Sequence, residues 1–326
     1  MKNDVSVKSI LGKREGDFSN ILKILQKGQP ARPTLFEFFH NPDLYGFCCG
    51  QVGVDADGLL EIFEDPFISL RVPAFVAMGY DYVTMPANQI NFAGKQRDSK
   101  ASCSMSHGGA VTDWKSFEEF HWPDVNDCGA DFLELFSPFL PDSMKFIVNG
   151  PCGVLENVVQ LVGYEDLCLL MFDDPQLVDA IFTKVGQTLV DYYSQAVQHE
   201  RVGAIISNDD WGFNTQTMLA TADMRRLVFP WHKEIVAVAH AAGKPAILHS
   251  CGQLAEVYED IIEDMKFDGK HSYEDKIQPV EQAYEKYKGR LAILGGLDLD
   301  FVCRADSDAI YRRAKDMLER SESDGG

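Results

Sequence analysis

The chain alternates short apolar runs with longer segments whose apolar residues recur every three or four positions. The short runs predict strands over residues 34–39, 80–85, 146–149, 204–207, 246–249, 267–270 and 291–294. Each breaks at once into polar or glycine-rich residues, as in Gly150-Pro151-Cys152-Gly153, Asn208-Asp209-Asp210 and Ser250-Cys251-Gly252. Between them lie amphipathic helices. Behind the capping pair Asp174-Pro175, the residues Leu177, Ile181, Val185, Leu189 and Tyr192 form one apolar stripe at helical spacing. A second helix, over 222–242, places Leu227, Trp231, Ile235 and Val238 on one face, with a kink at Pro230 and a stop at Gly243. Val280, Tyr284 and Tyr287 mark a third, ended by Gly289, and a charged helix runs from Asp308 to about Arg320.

Alternating strands and helices imply a parallel sheet covered by helices. Strands that open onto polar loops at their C-terminal ends suit a (β/α)8 TIM barrel, whose functional groups collect on that side. The expectation is an α/β chain with one domain over 1–326, in which 1–33 form an N-terminal helical extension. Seven strands are counted. The eighth would begin where Ser323-Asp324-Gly325-Gly326 ends the sequence, leaving either an open seven-stranded sheet or a barrel lacking that strand. The second is preferred, because closure abolishes unpaired sheet edges.

Composition narrows the partners. With 45% apolar and 25% charged residues, the 326-residue chain can bury a sizeable core. A formal charge of −20, with the 30 basic residues scattered, argues against a nucleic-acid partner, since nothing would neutralise phosphates. No apolar run reaches the roughly 18 residues of a membrane span, and Met1 to Lys13 lacks a signal-peptide core. Eight scattered cysteines, two of them adjacent at Cys48-Cys49, fit a reducing cytoplasm. A small-molecule substrate, no membrane partner and a cytoplasmic location follow as expectations; a homodimer is allowed.

Four strand ends carry chemistry. In His249-Ser250-Cys251-Gly252, residues two apart on a strand project together, bringing an imidazole and a sulfur to one side as zinc ligands. The bland alternative is a buried histidine beside a core thiol. In Asn208-Asp209-Asp210-Trp211-Gly212, neighbouring carboxylates point to opposite sides, so one faces the mouth while the other caps a loop. Asp209 and Asp210 are both catalytic candidates, and Trp211, with Phe213, is read as pocket lining. His271, in Lys270-His271-Ser272, is a base, a ligand or a solvated loop residue. Glu37, inside Leu35-Phe36-Glu37-Phe38-Phe39, is costly there unless paired or functional; Glu37, His40 and Asn149 are taken as substrate-binding candidates. His107-Gly108-Gly109 belongs to no phosphate-loop pattern.

These strand ends resemble the uroporphyrinogen decarboxylase superfamily, which also contains cobalamin-dependent methyltransferases. The likeness rests on Leu248-His249-Ser250-Cys251-Gly252, Asn208-Asp209-Asp210-Trp211-Gly212, Asn149-Gly150-Pro151, the stretch from Asp268 to Asp275, and Leu294-Gly295-Gly296-Leu297-Asp298. The decarboxylase branch implies arginines after the first strand, whereas Phe38-Phe39-His40-Asn41-Pro42 has none. The methyltransferase branch implies zinc held by His-x-Cys, matched by His249 and Cys251, and a later Cys from the eighth strand. It also implies a thiol substrate and methyl-cobalamin on a corrinoid protein partner. The resemblance thus points to a zinc-dependent methyltransferase, with Glu37 or His271 completing the metal's shell. The alternatives are a decarboxylase acting on a tetrapyrrole and a noncatalytic barrel that binds a corrinoid or another partner.

Overall fold

Six strands pair in sequence order and all in parallel: β1 (Tyr82–Pro86), β2 (Lys145–Asn149), β3 (Val202–Asn208), β4 (Ala246–His249), β5 (Gly269–His271) and β6 (Ala292–Leu294). The computed structural model describes residues 12–92 and 109–322. The pair His107-Gly108 lies outside the described residues. Helices follow the strands and bury them from outside, so β3 is hidden along almost its whole length. Consecutive parallel strands with covering helices form part of the expected (β/α)8 barrel. Among the described residues, no helix is long and apolar enough to cross a membrane.

The strands fall where the apolar runs predict, shifted by one or two residues at the ends. One expectation is corrected. Residues 34–39 form no strand. The segment runs beside β1 but is held by side chains: the Glu37 amide donates to the Tyr82 hydroxyl at 2.8 Å, that hydroxyl donates to the Glu37 carbonyl at 2.9 Å, and Thr84 Oγ1 donates to the Phe38 carbonyl. Phe36 packs on the Tyr82 ring at 5.3 Å and Phe38 is buried. The Glu37 amide and carbonyl and the Phe38 carbonyl are thus taken by side chains of β1 and not by a backbone ladder. The sheet therefore has six paired strands among the described residues.

The helix predicted behind Asp174 spans Pro175–Ala196, and Asp174 caps it by accepting from the Leu177 amide at 3.0 Å. Its two adjacent tyrosines tie strand ends together. The Tyr192 hydroxyl accepts from the Ala87 amide and donates to the Asn149 carbonyl, each at 2.6 Å, while Tyr193 donates to the Ile206 carbonyl at 2.8 Å. The kink expected at Pro230 takes the form of a π-helical turn over Met224–Val228, just before the Phe229–Ala241 helix that contains this proline.

At the opposite end, helix α1 (Phe18–Leu25) crosses the strand starts. A Cβ at Gly203 would lie 2.4 Å from Cζ of Phe18, so only glycine lets the helix seat against β3. The strand C-termini are thereby left as the functional face. Gly203→Ala is expected to lower stability by about 1–3 kcal/mol through overpacking. In urea denaturation, the double variant with Phe18→Ala should lose less than the two single losses together.

Candidate functional site

Parallel pairing places registered residues on the same face of a sheet. Asn208 pairs with His249, and His249 with His271, so three neighbouring strands end in a row. Asn149 pairs with Ile206, two residues before Asn208, and joins the same face. The row closes on itself through the two histidines: Nδ1 of His249 lies 2.8 Å from Nδ1 of His271, with ring centroids 5.0 Å apart.

On its other edge His249 faces the sulfur and a carboxylate. Nε2 is 3.9 Å from Cys251 Sγ and 3.9 Å from Asp210 Oδ1, and one ligand atom each of Asp210, His249 and Cys251 lie within 4.8 Å of one another. Asp210 also accepts from the Cys251 amide at 2.8 Å, fixing the two loops together. Those loops touch where a Cβ on Gly252, at φ +86°, would lie 2.1 Å from the Gly212 carbonyl oxygen. Ser272 sits at φ 81°, a conformation that costs a non-glycine residue about 1–3 kcal/mol, and there its Oγ lies 3.1 Å from Cys251 Sγ.

Burial governs the charge states. It pushes His249 down to about 4, against the opposing pull of Asp210, and holds His271 well below the usual imidazole range. It raises the Cys251 thiol to about 12, assisted by the negative charge of Asp210. Both rings are thus neutral at pH 7 and the thiol keeps its proton. Lys270, buried beneath the loops, is pushed down to about 8 by the same cause. Its Nζ donates to the carbonyls of Ser250, His271 and Ser272 at 3.2, 3.3 and 2.6 Å, pinning the ends of β4 and β5.

The remaining sequence candidates separate. Glu37 reaches the site, with Oε1 3.8 Å from His271 Nε2, and burial raises its carboxyl. Asp209 points inward. Fully buried, it accepts from the amides of Leu155 and Glu156 at 3.0 and 2.9 Å, from Trp211 Nε1 at 2.9 Å, and contacts His232 Nε2 at 2.8 Å. Trp211 is also fully buried, against Phe229 and His232, rather than lining an opening. His40 contacts Tyr80, with Nε2 3.0 Å from its hydroxyl, and packs on Tyr45 and Phe75, none of which belongs to the histidine row. Asn149 keeps its Oδ1 buried without a hydrogen-bond partner.

Sequence reading missed several participants. Ser272 and Lys270 lie in a stretch singled out only for His271. Glu274 accepts from the Gly252 amide at 3.0 Å. Glu156, at the start of the Val154–Val162 helix, is raised to about 8 by burial and by the charges of Asp209 and Asp210. The split between adjacent aspartates can be measured. Asp209→Ala should lose about 3 kcal/mol or more in urea denaturation, because four donors lose their acceptor in a dry interior. Asp210→Ala should lose about 1 kcal/mol.

Comparison with known proteins agrees with this architecture. No curated protein matches the chain. Among solved structures, a methyltransferase from Methanosarcina mazei superposes with a TM-score of 0.56 at 16% sequence identity, covering 86% of this chain and 82% of that one. Likeness at that identity concerns the fold alone. The family model described as uroporphyrinogen decarboxylase (URO-D) matches residues 146–326, more than half of the chain and the part that contains β2 to β6 with Asp210, His249, Cys251 and His271. The chain belongs to the uroporphyrinogen decarboxylase (URO-D) family.

Proposed function

We propose that the chain is a zinc-dependent methyltransferase that moves a methyl group from methyl-cobalamin on a corrinoid protein to a small-molecule thiol. One observation carries the reading: an imidazole nitrogen, a thiol sulfur and a carboxylate oxygen converge within 4.8 Å at the ends of β3 and β4. The fold likeness to a methyltransferase supports it.

The donor set fits zinc, which takes nitrogen, sulfur and oxygen ligands and in catalytic sites leaves one position for substrate. His249, Cys251 and Asp210 would hold it. When bound, the metal supplies the positive charge that lets a thiol lose its proton near neutral pH. The protein's own groups do the rest. Asp210 holds the Cys251 amide and so sets the distance between sulfur and imidazole. Phe36 and Phe38 lie against His271 and His249, each with ring centroids 5.0 Å apart, and give that side an apolar wall. Asn149 offers its unpartnered Oδ1 to a donor on the substrate.

The described loops that follow the six strands carry Asp210 and Glu274 but no arginine. The stretch Phe38-Phe39-His40-Asn41-Pro42 holds no arginine, so it lacks the bidentate carboxylate clamp that the decarboxylase branch would place there.

Metal analysis of the purified chain should find about one zinc, lost in His249→Ala and in Cys251→Ser. Chelation should abolish methylation of a thiol panel by methyl-cobalamin, and added zinc should restore it. Zinc retained by both variants, or decarboxylation of uroporphyrinogen by metal-free protein, would overturn the reading. Tight corrinoid binding without methyl transfer would instead identify a binding protein.

A further inference from the structure

We infer that His271 and Glu37 are positioning residues that fix the tautomer of His249, leaving its Nε2 lone pair free to face Cys251 and Asp210. This rests on the zinc reading above but concerns groups outside the ligand set. A neutral imidazole carries one proton on one of its two nitrogens. The contact between the two Nδ1 atoms, at 2.8 Å, requires a single proton between them. Two arrangements satisfy it.

In the first, His249 donates from Nδ1 and its Nε2 is bare. His271 then carries its own proton on Nε2, on the side of Glu37 Oε1, which lies 3.8 Å away and is held by the Phe38 amide at 2.8 Å. In the second, His271 donates from Nδ1, its bare Nε2 faces Glu37, and the His249 proton on Nε2 points at Asp210, 3.9 Å away. A carboxylate therefore stands at each end of a two-ring chain and draws protons towards itself. Asp210 favours the arrangement that blocks a cation; Glu37 favours the one that admits it. Glu37 is the counterweight.

The same geometry keeps His271 from being a ligand to that cation. Its Nδ1 meets the edge of the His249 ring opposite Nε2, and its remaining nitrogen turns towards Glu37. Phe36 packs on His271 and Phe38 on His249, flanking the two-ring chain with apolar surface. This accounts for an acidic residue inside the run Phe36-Glu37-Phe38: the aromatic neighbours cover the rings while the carboxylate orients them. Partners that orient ligating histidines in this way are worth about 10–100-fold in metal affinity.

The test uses the full chain, zinc competed against a chromogenic chelator, and nitrogen NMR of 15N-histidine-labelled protein to read which ring nitrogen carries the proton. Glu37 has a side chain 40% exposed, so its substitution is expected to leave the fold intact. Glu37→Gln and His271→Phe should each weaken zinc binding about 10–100-fold, and Glu37→Asp should stay closer to the parent. In metal-free protein, Glu37→Gln should move the His249 proton from Nδ1 to Nε2. Zinc affinity within twofold of the parent in both variants, with His249 tautomers unchanged, would overturn the inference and leave the zinc site standing. A parent chain that binds no zinc would sink the metal reading, while the tautomer shift would still decide the role of Glu37.

Discussion

The buried carboxylate of Asp209 constrains the rest of the site. Two backbone amides of the Val154–Val162 helix, the Trp211 indole and the His232 imidazole all converge on its two oxygens. Such a group cannot rotate or move outward without stranding donors in a medium that offers no substitutes. Because Asp209 is fixed inward, Asp210 is turned outward, towards the sulfur and imidazole of the next strand. The loop that leaves β3 is locked from behind by Asp209 so that Asp210 can be presented in front.

Much of this was legible from the sequence because it is local. The short spacing keeps Cys251 near His249 even though β4 ends at His249 and the sulfur sits in the loop beyond it, and apolar runs locate β1 to β6 because parallel strands are buried on both faces. The opposed directions of Asp209 and Asp210 were also readable, but which of them faces the mouth was not. That choice is made by His232, 23 residues away on a helix, and by two amides from a helix that follows another strand. Trp211 misled for the same reason: an aromatic beside carboxylates resembles pocket lining, yet its N–H completes the inner anchor. Residues 34–39 have the composition of a strand, but the Tyr82 and Thr84 side chains take the backbone groups of Glu37 and Phe38. Ser272 gave no signal, since a positive φ on serine is imposed by its surroundings.

Burial gives the cluster its electrostatic character. The same desolvation lowers the imidazoles and raises the thiol, so the groups that converge are neutral apart from Asp210. Neutral donors packed around a single carboxylate repel one another little and need no counter-ion to fold. They also present lone pairs and one negative charge to a common point, the combination that a soft divalent cation complements. Lys270 gives its three hydrogen bonds to carbonyls below the loops, and the charge of Asp210 acts on it without a direct contact.

The position of the cluster within the sheet follows the same logic. β3, β4 and β5 each have a hydrogen-bonded neighbour on both sides, whereas β1 and β6 have one among the described residues. Distances such as the 2.8 Å between the two histidines are set by ladders that cannot slide, since a slip of one residue would turn every side chain to the opposite face. Glu37 is the exception. It approaches from a segment held by side chains, beside an edge strand, and stands 3.8 Å from His271, well beyond the 2.8 Å between the two histidines. Rigid strands supply the groups that must meet at fixed distance, and the looser segment supplies the one that acts through charge, which tolerates distance better than a ligand bond does.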